Sequence, residues 1–288
     1  MIEKVTISAK VFEDIWGLKN VKIKKILQQS NDRIVGIIQS KTGKYVFKTA
    51  GSWKNLRGVI KDTKIFRILR KKGFQYLPVL IETNKGENFV KFGKKYLYLL
   101  EYIEGKNAKP TAQTYKKLAA ITAELHKVKN FPFKTDFDPT KIIKNLCKKT
   151  FSFSAEYRQI ARTLPNFKTM PQTVIHTDIA PLNSIQKRNG KIILVDWDDA
   201  GIGPTALDLG AVLNEIIKEN TSFNRNNLQS FYRAYFRYRR ISKKEKTAIF
   251  DGCLFFALMY IVHGDTIKRW KRILWMIRNR KKIEKLYS

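Results

Sequence analysis

The order of residues between Thr173 and Leu213 restricts the fold of this chain more than any other stretch. Two short runs, Thr173-Val174-Ile175 and Ile192-Ile193-Leu194-Val195, have the β-branched make-up of strands. Each hands over to polar residues at its C-terminal end: His176, Asp178 and Asn183 after the first, Asp196 and Asp198 after the second. Between them, Lys187-Arg188-Asn189-Gly190-Lys191 carries the Asn-Gly chemistry of a tight turn, so the two runs are expected to pair as a hairpin. Such a hairpin brings Asp178, Asn183 and Asp196 to one edge. Two carboxylates and an amide oxygen, with no cysteine and no second histidine nearby, suit a hard, oxygen-seeking cation, above all Mg²⁺, and disfavour zinc.

His176-Thr177-Asp178, Asn183 five residues beyond that aspartate, and Asp196-Trp197 on the next arm form an ordered set. It resembles the signature of the aminoglycoside phosphotransferase and choline kinase superfamily, relatives of the protein kinases. The His-x-Asp triplet alone carries little information; the order of all three parts carries the resemblance. Thr177 departs from the pattern, because many members have Gly there. The resemblance implies an α+β, two-lobed, protein-kinase-like fold. Residues 1–103 would be a small β-rich lobe that binds nucleotide, and residues 104–288 a larger, mostly helical lobe for catalysis and acceptor binding. It further implies transfer of the γ-phosphate of ATP, or of another nucleoside triphosphate, to a hydroxyl of a small molecule. Asp178 would be the catalytic base, Asn183 and Asp196 the Mg²⁺ ligands, His176 a brace, and Asp208 a cap or brace of the catalytic loop.

Three short β segments, 21–27, 34–40 and 44–50, are expected to pair antiparallel near the N-terminus. Under the resemblance the first loop, with its Ser30-Asn31 pair, lies over the nucleotide phosphates. Lys48, after Tyr45-Val46-Phe47, stands where the kinase lysine neutralises the α and β phosphates. Taken alone, Lys48 is an ordinary solvated strand lysine in a lysine-rich chain; its place in the order singles it out. Leu56, Val59, Ile60, Thr63, Phe66 and Leu69 predict a helix over 54–72, where the family offers that lysine a Glu. None occurs, and Asp62 is the substitute partner the segment contains. The run 96–105, with Glu101 and Ile103, resembles the last strand and hinge of the first lobe, whose backbone groups bond adenine.

Helical spacing then predicts a helix over 112–127. His126 near its end has no carboxylate in its motif frame, which favours a packed structural histidine over a catalyst. A helix over 226–240 carries Phe231, Tyr235 and Tyr238 among four arginines, and it falls where the resembling family places acceptor-binding helices. Ser242-Lys243-Lys244-Glu245 reads as a capping box. The last helix, near 266–286, is expected to turn Ile267, Trp270, Ile273, Leu274 and Ile277 inward against a dense basic outer face.

Lys and Arg number 57 against 24 Asp and Glu, a formal +33 that exceeds what solubility needs. An anionic partner is one explanation, and a lysine-biased genome, visible in runs such as Lys22-Ile23-Lys24-Lys25, is the other. A rival function follows: a catalytically weak pseudokinase whose basic surface binds nucleic acid or another polyanion. The missing helix Glu speaks for it, and the retained Asp178, Asn183 and Asp196 speak against it. From residue 211 onward there are 18 Lys and Arg against 6 Asp and Glu. A polycationic aminoglycoside would approach against that field, so a neutral or anionic hydroxylated acceptor is expected unless Asp198, Asp199 and Glu215 form a local acidic pocket. Cys147 and Cys253 stand too far apart for a disulfide framework to be read. The longest apolar run, 253–262, falls short of the ~20 residues of a membrane helix, and the N-terminus is charged throughout, so a cytoplasmic location is expected. No visible pattern encodes the oligomeric state.

Overall fold

Alternating apolar residues build the first third of the chain, and helical spacing builds most of the remainder. The computed structural model describes residues 7–29, 33–50, 54–217 and 224–287, so Ser30 and Asn31 lie outside the described residues. Contacts divide the chain into two units, Met1–Gly105 with Lys187–Asn189, and Lys106–Gln186 with Gly190–Ser288. Among the described residues, no helix is long and apolar enough to cross a membrane.

The first unit runs α1 (Ala9–Trp16), β1 (Lys22–Gln29), β2 (Ile34–Ser40), β3 (Gly43–Thr49), α2 (Leu56–Lys71), β4 (Leu80–Ile81), β5 (Val90–Phe92) and β6 (Lys95–Glu101). Its strands are antiparallel in the order β1-β2-β3-β6-β4, with β5 also on β6. Along β2 every second residue is buried, as a strand with one face on a core requires. That face joins Ile38 to Phe47, Leu97 and Leu99, and α1 closes it with Phe12 and Trp16.

The second unit contains β7 (Lys106–Asn107), α3 (Ala112–Leu125), α4 (Pro139–Leu146), α5 (Ser154–Thr163), β8 (Gln172–Ile175), β9 (Ser184–Gln186), β10 (Ile192–Leu194) and β11 (Gly201–Pro204). It ends with α6 (Thr205–Ile216), α7 (Arg225–Tyr238), α8 (Lys243–Met259), α9 (Thr266–Arg278) and α10 (Arg280–Glu284). The hairpin expected between 173–175 and 192–195 does not form. β10 pairs with β9, the nearest run upstream of the Asn189-Gly190 turn, and β8 pairs with β11. A tight turn joins the segments on either side of it, and Ser184–Gln186 occupies that place in the chain. The functional ends still meet, because the Val195 N–H donates to the Asn183 carbonyl at 3.0 Å.

Helices α6 and α8 approach with glycine against glycine. A Cβ on Gly210 would stand 2.3 Å from the Gly252 carbonyl carbon, and one on Gly252 would stand 2.3 Å from the Ala206 oxygen. This backbone contact lets α6 carry Asp208 into the centre of the unit, where it is fully buried. The capping box forms as expected, with Ser242 Oγ accepting from the Glu245 N–H and the Glu245 carboxylate accepting from the Ser242 N–H. The final helix differs from expectation. It breaks at Asn279, and Ile267 is 48% exposed, because the buried stripe of Trp270, Ile273 and Met276 runs out of core one turn before it.

Candidate active site

The chain leaves β8 at Ile175 and turns its next two backbone N–H groups onto one carboxylate. His176 N lies 2.9 and 3.1 Å from the two oxygens of Asp208, and the Thr177 N–H donates to Asp208 Oδ1. Thr177 takes φ 76° and Asp196 takes φ 64°, both in the left-handed region. A β-branched residue is strained there, which accounts physically for the Gly that the resembling family carries at the first of these positions. Thr177→Gly is therefore expected to raise stability by about 1 kcal/mol, from ~1–3 of relieved strain less ~0.5–1 of added chain freedom. Thermal denaturation reads this directly; a lower melting temperature would mean that the threonine side chain holds the loop.

The His176 ring is fully buried, packed edge-on to Trp197 with ring centroids 4.5 Å apart. Its Nε2 donates to the Val195 carbonyl at 3.1 Å, while the Asp178 N–H points at Nδ1 from 3.4 Å. One imidazole thus ties the loop after β8 to the residue before Asp196. Asn183 completes the arrangement. Its Nδ2 donates to the Asp178 backbone carbonyl at 3.0 Å and to the Asp178 carboxylate at 2.6 Å. A carboxylate can only accept, so it fixes which end of the amide faces it and leaves Asn183 Oδ1 for another partner. The Asp178 carboxylate opens onto solvent, yet the protein crowded around it raises its pKa above the ordinary value. His176 and the Asn183 hydrogen bond pull it back, and Asp196 and Glu215 push it further up. Among the described residues no three His, Cys, Asp and Glu side chains form a metal cage. Asp196 and the amide oxygen of Asn183 are oxygen groups that could serve as the one or two protein ligands Mg²⁺ takes when phosphates supply the rest.

Behind the loop runs a buried polar relay. His126 Nε2 bonds the Asp208 carboxylate at 3.0 Å, and its Nδ1 lies 2.7 Å from the Tyr235 hydroxyl. Arg239 donates to that hydroxyl at 3.1 Å and to Glu245 of the capping box at 3.2 Å. His126 is a packed histidine, as its sequence suggested, and the carboxylate it bonds comes from outside its motif frame: Asp208, 82 residues along the chain.

Lys48, Asp62, Glu101 and Ile103, singled out by sequence, lie in the first unit. Lys48 sits on β3 between Val35 of β2 and Tyr98 of β6 and is 8% exposed, which removes the solvated-lysine reading. On α2, the buried Asp62 accepts from Lys54 and stands 3.8 Å from Lys61, two cations that the sequence pattern did not single out. Glu101 closes β6; its N–H donates to the Val79 carbonyl at 2.8 Å, and its carboxylate accepts from the Val79 N–H at 3.2 Å. Ile103, two residues on, is buried.

A cavity of about 270 Å³ opens beside the loop after β8, within the second unit. It is lined by Asp178 and Asn183, by Glu215 of α6, by Phe256 and Tyr260 of the α8 region, and by Arg269 and Arg272 of α9.

The model of the phosphotransferase enzyme family (APH) matches residues 22–248. The chain belongs to that family. This phosphotransferase shares its protein-kinase-like fold with solved structures over nearly its whole length. An aminoglycoside phosphotransferase from Alicyclobacillus acidocaldarius subsp. acidocaldarius DSM 446 is 14% identical, with a TM-score of 0.63 over 100% of this chain and 97% of that one. An amicoumacin kinase in complex with AMP-PNP, Ca²⁺ and Ami is 14% identical, with a TM-score of 0.69 over 96% and 92%. Choline kinase from Streptococcus pneumoniae is 17% identical, with a TM-score of 0.61 over 92% and 95%.

Sequence reasoning missed the arginines of the phosphotransferase's cavity. Arg269 and Arg272 were visible only as part of a basic helix face, although their spacing of three residues was the available signal that they share one side. The arginines that did attract notice go elsewhere. Arg233 and Arg237 of α7 line a separate groove with Lys116 of α3.

Proposed function

We propose that this phosphotransferase moves the γ-phosphoryl group of ATP, or of another nucleoside triphosphate, to a hydroxyl of a small molecule bound in the cavity beside Asp178. Asp178 accepts the hydroxyl proton as the acceptor oxygen forms its bond to phosphorus and the bond to the nucleoside diphosphate breaks. Asn183 and Asp196 hold Mg²⁺, whose chemistry is to offset charge on the phosphate oxygens. Lys48 steadies the phosphates, Ser30 contributes from the first loop, and Glu101 and Ile103 offer hinge backbone to the base. The two units serve as nucleotide and acceptor lobes. The observation that carries the reading is the 2.6 Å bond from Asn183 to Asp178 at the cavity wall, which orients a base and leaves the amide oxygen of Asn183 for another partner. Support also comes from the amicoumacin kinase, whose complex contains AMP-PNP and Ca²⁺.

Thermal stability with and without Mg-ATP tests this. At a hundredfold excess over its dissociation constant the ligand should stabilise the protein by about 2.7 kcal/mol. Asp196→Ala is expected to lose the metal-dependent part of that gain. A full shift retained in the variant would remove Asp196 as a ligand, and no shift in the parent protein would remove the nucleotide reading.

A further inference from the structure

Arg269 and Arg272 stand three residues apart on α9, so their side chains leave one face of the helix, and both line the cavity that contains Asp178. Like charges placed side by side repel. Burial lowers the pKa of Arg272, and Arg269 lowers it further, while Glu215 acts in the opposite sense. Arg272 is held in place: its Nη2 donates to the Asn214 carbonyl at 3.1 Å and to the Asn214 side-chain oxygen. Its Nε is buried with no partner. Arg269 makes no side-chain hydrogen bond or ion pair among the described residues. Asp178 and Glu215 line the same cavity, yet Arg269 forms an ion pair with neither among the described residues. A guanidinium without an ion-pair partner beside one whose buried Nε is unmet suits an anionic ligand group. The planar guanidinium fork matches carboxylate and phosphate oxygens two at a time.

We propose that the acceptor carries an anionic group, a carboxylate or a phosphate, which Arg269 and Arg272 hold while its hydroxyl faces Asp178. This rests on the reading of the cavity as the acceptor site. The volume of about 270 Å³ lies at the lower edge of the ~300–1,000 Å³ common for ligand sites, so the acceptor is compact. Phe256 and Tyr260 offer its carbon skeleton an apolar wall.

A matched series tests the charge directly: glycerate, glycerol 3-phosphate, neutral glycerol and cationic 3-amino-1,2-propanediol. Calorimetry on the full chain without nucleotide is expected to rank the carboxylate or the phosphate roughly ten- to a hundredfold above the neutral and cationic members, and the better of the two identifies the anion. Arg269→Gln should erase that ranking, and Arg269→Lys should keep part of it. Preference for the amine, an unchanged ranking in Arg269→Gln, or no binding of either anion at millimolar concentration would each overturn the proposal. Mg-ATP stabilisation of the same samples separates the two readings. A protein that binds the anion but ignores Mg-ATP keeps the anion site and loses phosphoryl transfer; one that responds to Mg-ATP and prefers the amine loses only the anion site.

Discussion

Asp178→Asn is expected to lower turnover by roughly 10²–10⁴-fold while Mg-ATP affinity stays near that of the parent enzyme, because under the proposed function Asp178 acts on the acceptor and not on the nucleotide. The amide preserves the shape of the side chain and cannot take up the hydroxyl proton. Steady-state kinetics beside calorimetric nucleotide binding check both halves, and near-parental turnover would remove Asp178 as the base. The same substitution carries a pH signature. Crowding raises the Asp178 pKa above the ordinary 3.8. A carboxyl whose pKa rises on folding contributes stability below its unfolded value and loses it as pH climbs through the folded value. At neutral pH the ionised side chain is therefore a burden, so Asp178→Asn should melt higher than the parent at pH 7. The gap should close as pH falls below about 4, where the parent carboxyl is protonated in both states. A gap that stays constant with pH would assign the stability change to something other than ionisation.

Asp208→Ala is expected to be the most destabilising change in the second unit. The carboxylate is fully buried and accepts from His176 N, Thr177 N and His126 Nε2. Deleting it leaves three buried donors without their acceptor, and stranding the partners of a buried charge typically costs about 3–5 kcal/mol. That is a large share of the ~5–15 kcal/mol by which domains are stable. Thermal and urea melts of the purified variant measure it. Asp208→Asn retains one acceptor oxygen and should fall between the parent and Asp208→Ala. Equal stability of all three proteins would show that the loop after β8 holds its shape without this carboxylate.

Much of this architecture was legible because its signals are local. The alternation in Ile34–Ser40 announced a half-buried strand, and Ser242 with Glu245 announced a helix start that forms as read. His176, Asp178, Asn183 and Asp196 could be chosen as a set because their order along the chain is itself the pattern. Pairing was harder. Val174-Ile175 and Ile192-Ile193 have the same strand character, and composition does not say which neighbour each will take; the turn joined 192–194 to 184–186 and left 172–175 for 201–204. Helix α5 escaped notice because its residues between Ser154 and Thr163 are mostly polar, with only Tyr157 and Ala161 buried.

By itself the sequence determined the kinds of groups this phosphotransferase brings to its chemistry and their succession, since a carboxylate, an amide and a turn glycine have fixed capacities wherever they stand. Only the tertiary structure decided which groups face one another. Asp208 meets His126 across 82 residues, and Arg239 extends that relay to the start of α8. Arg269 and Arg272 enter the same cavity as Asp178, while Arg233 and Arg237 line a different groove. Those outcomes depend on which helix faces pack together, here through the Gly210–Gly252 approach of α6 and α8. Packing selects among helix faces by the fit of many buried side chains at once, a property of the folded arrangement that no short stretch of residues carries.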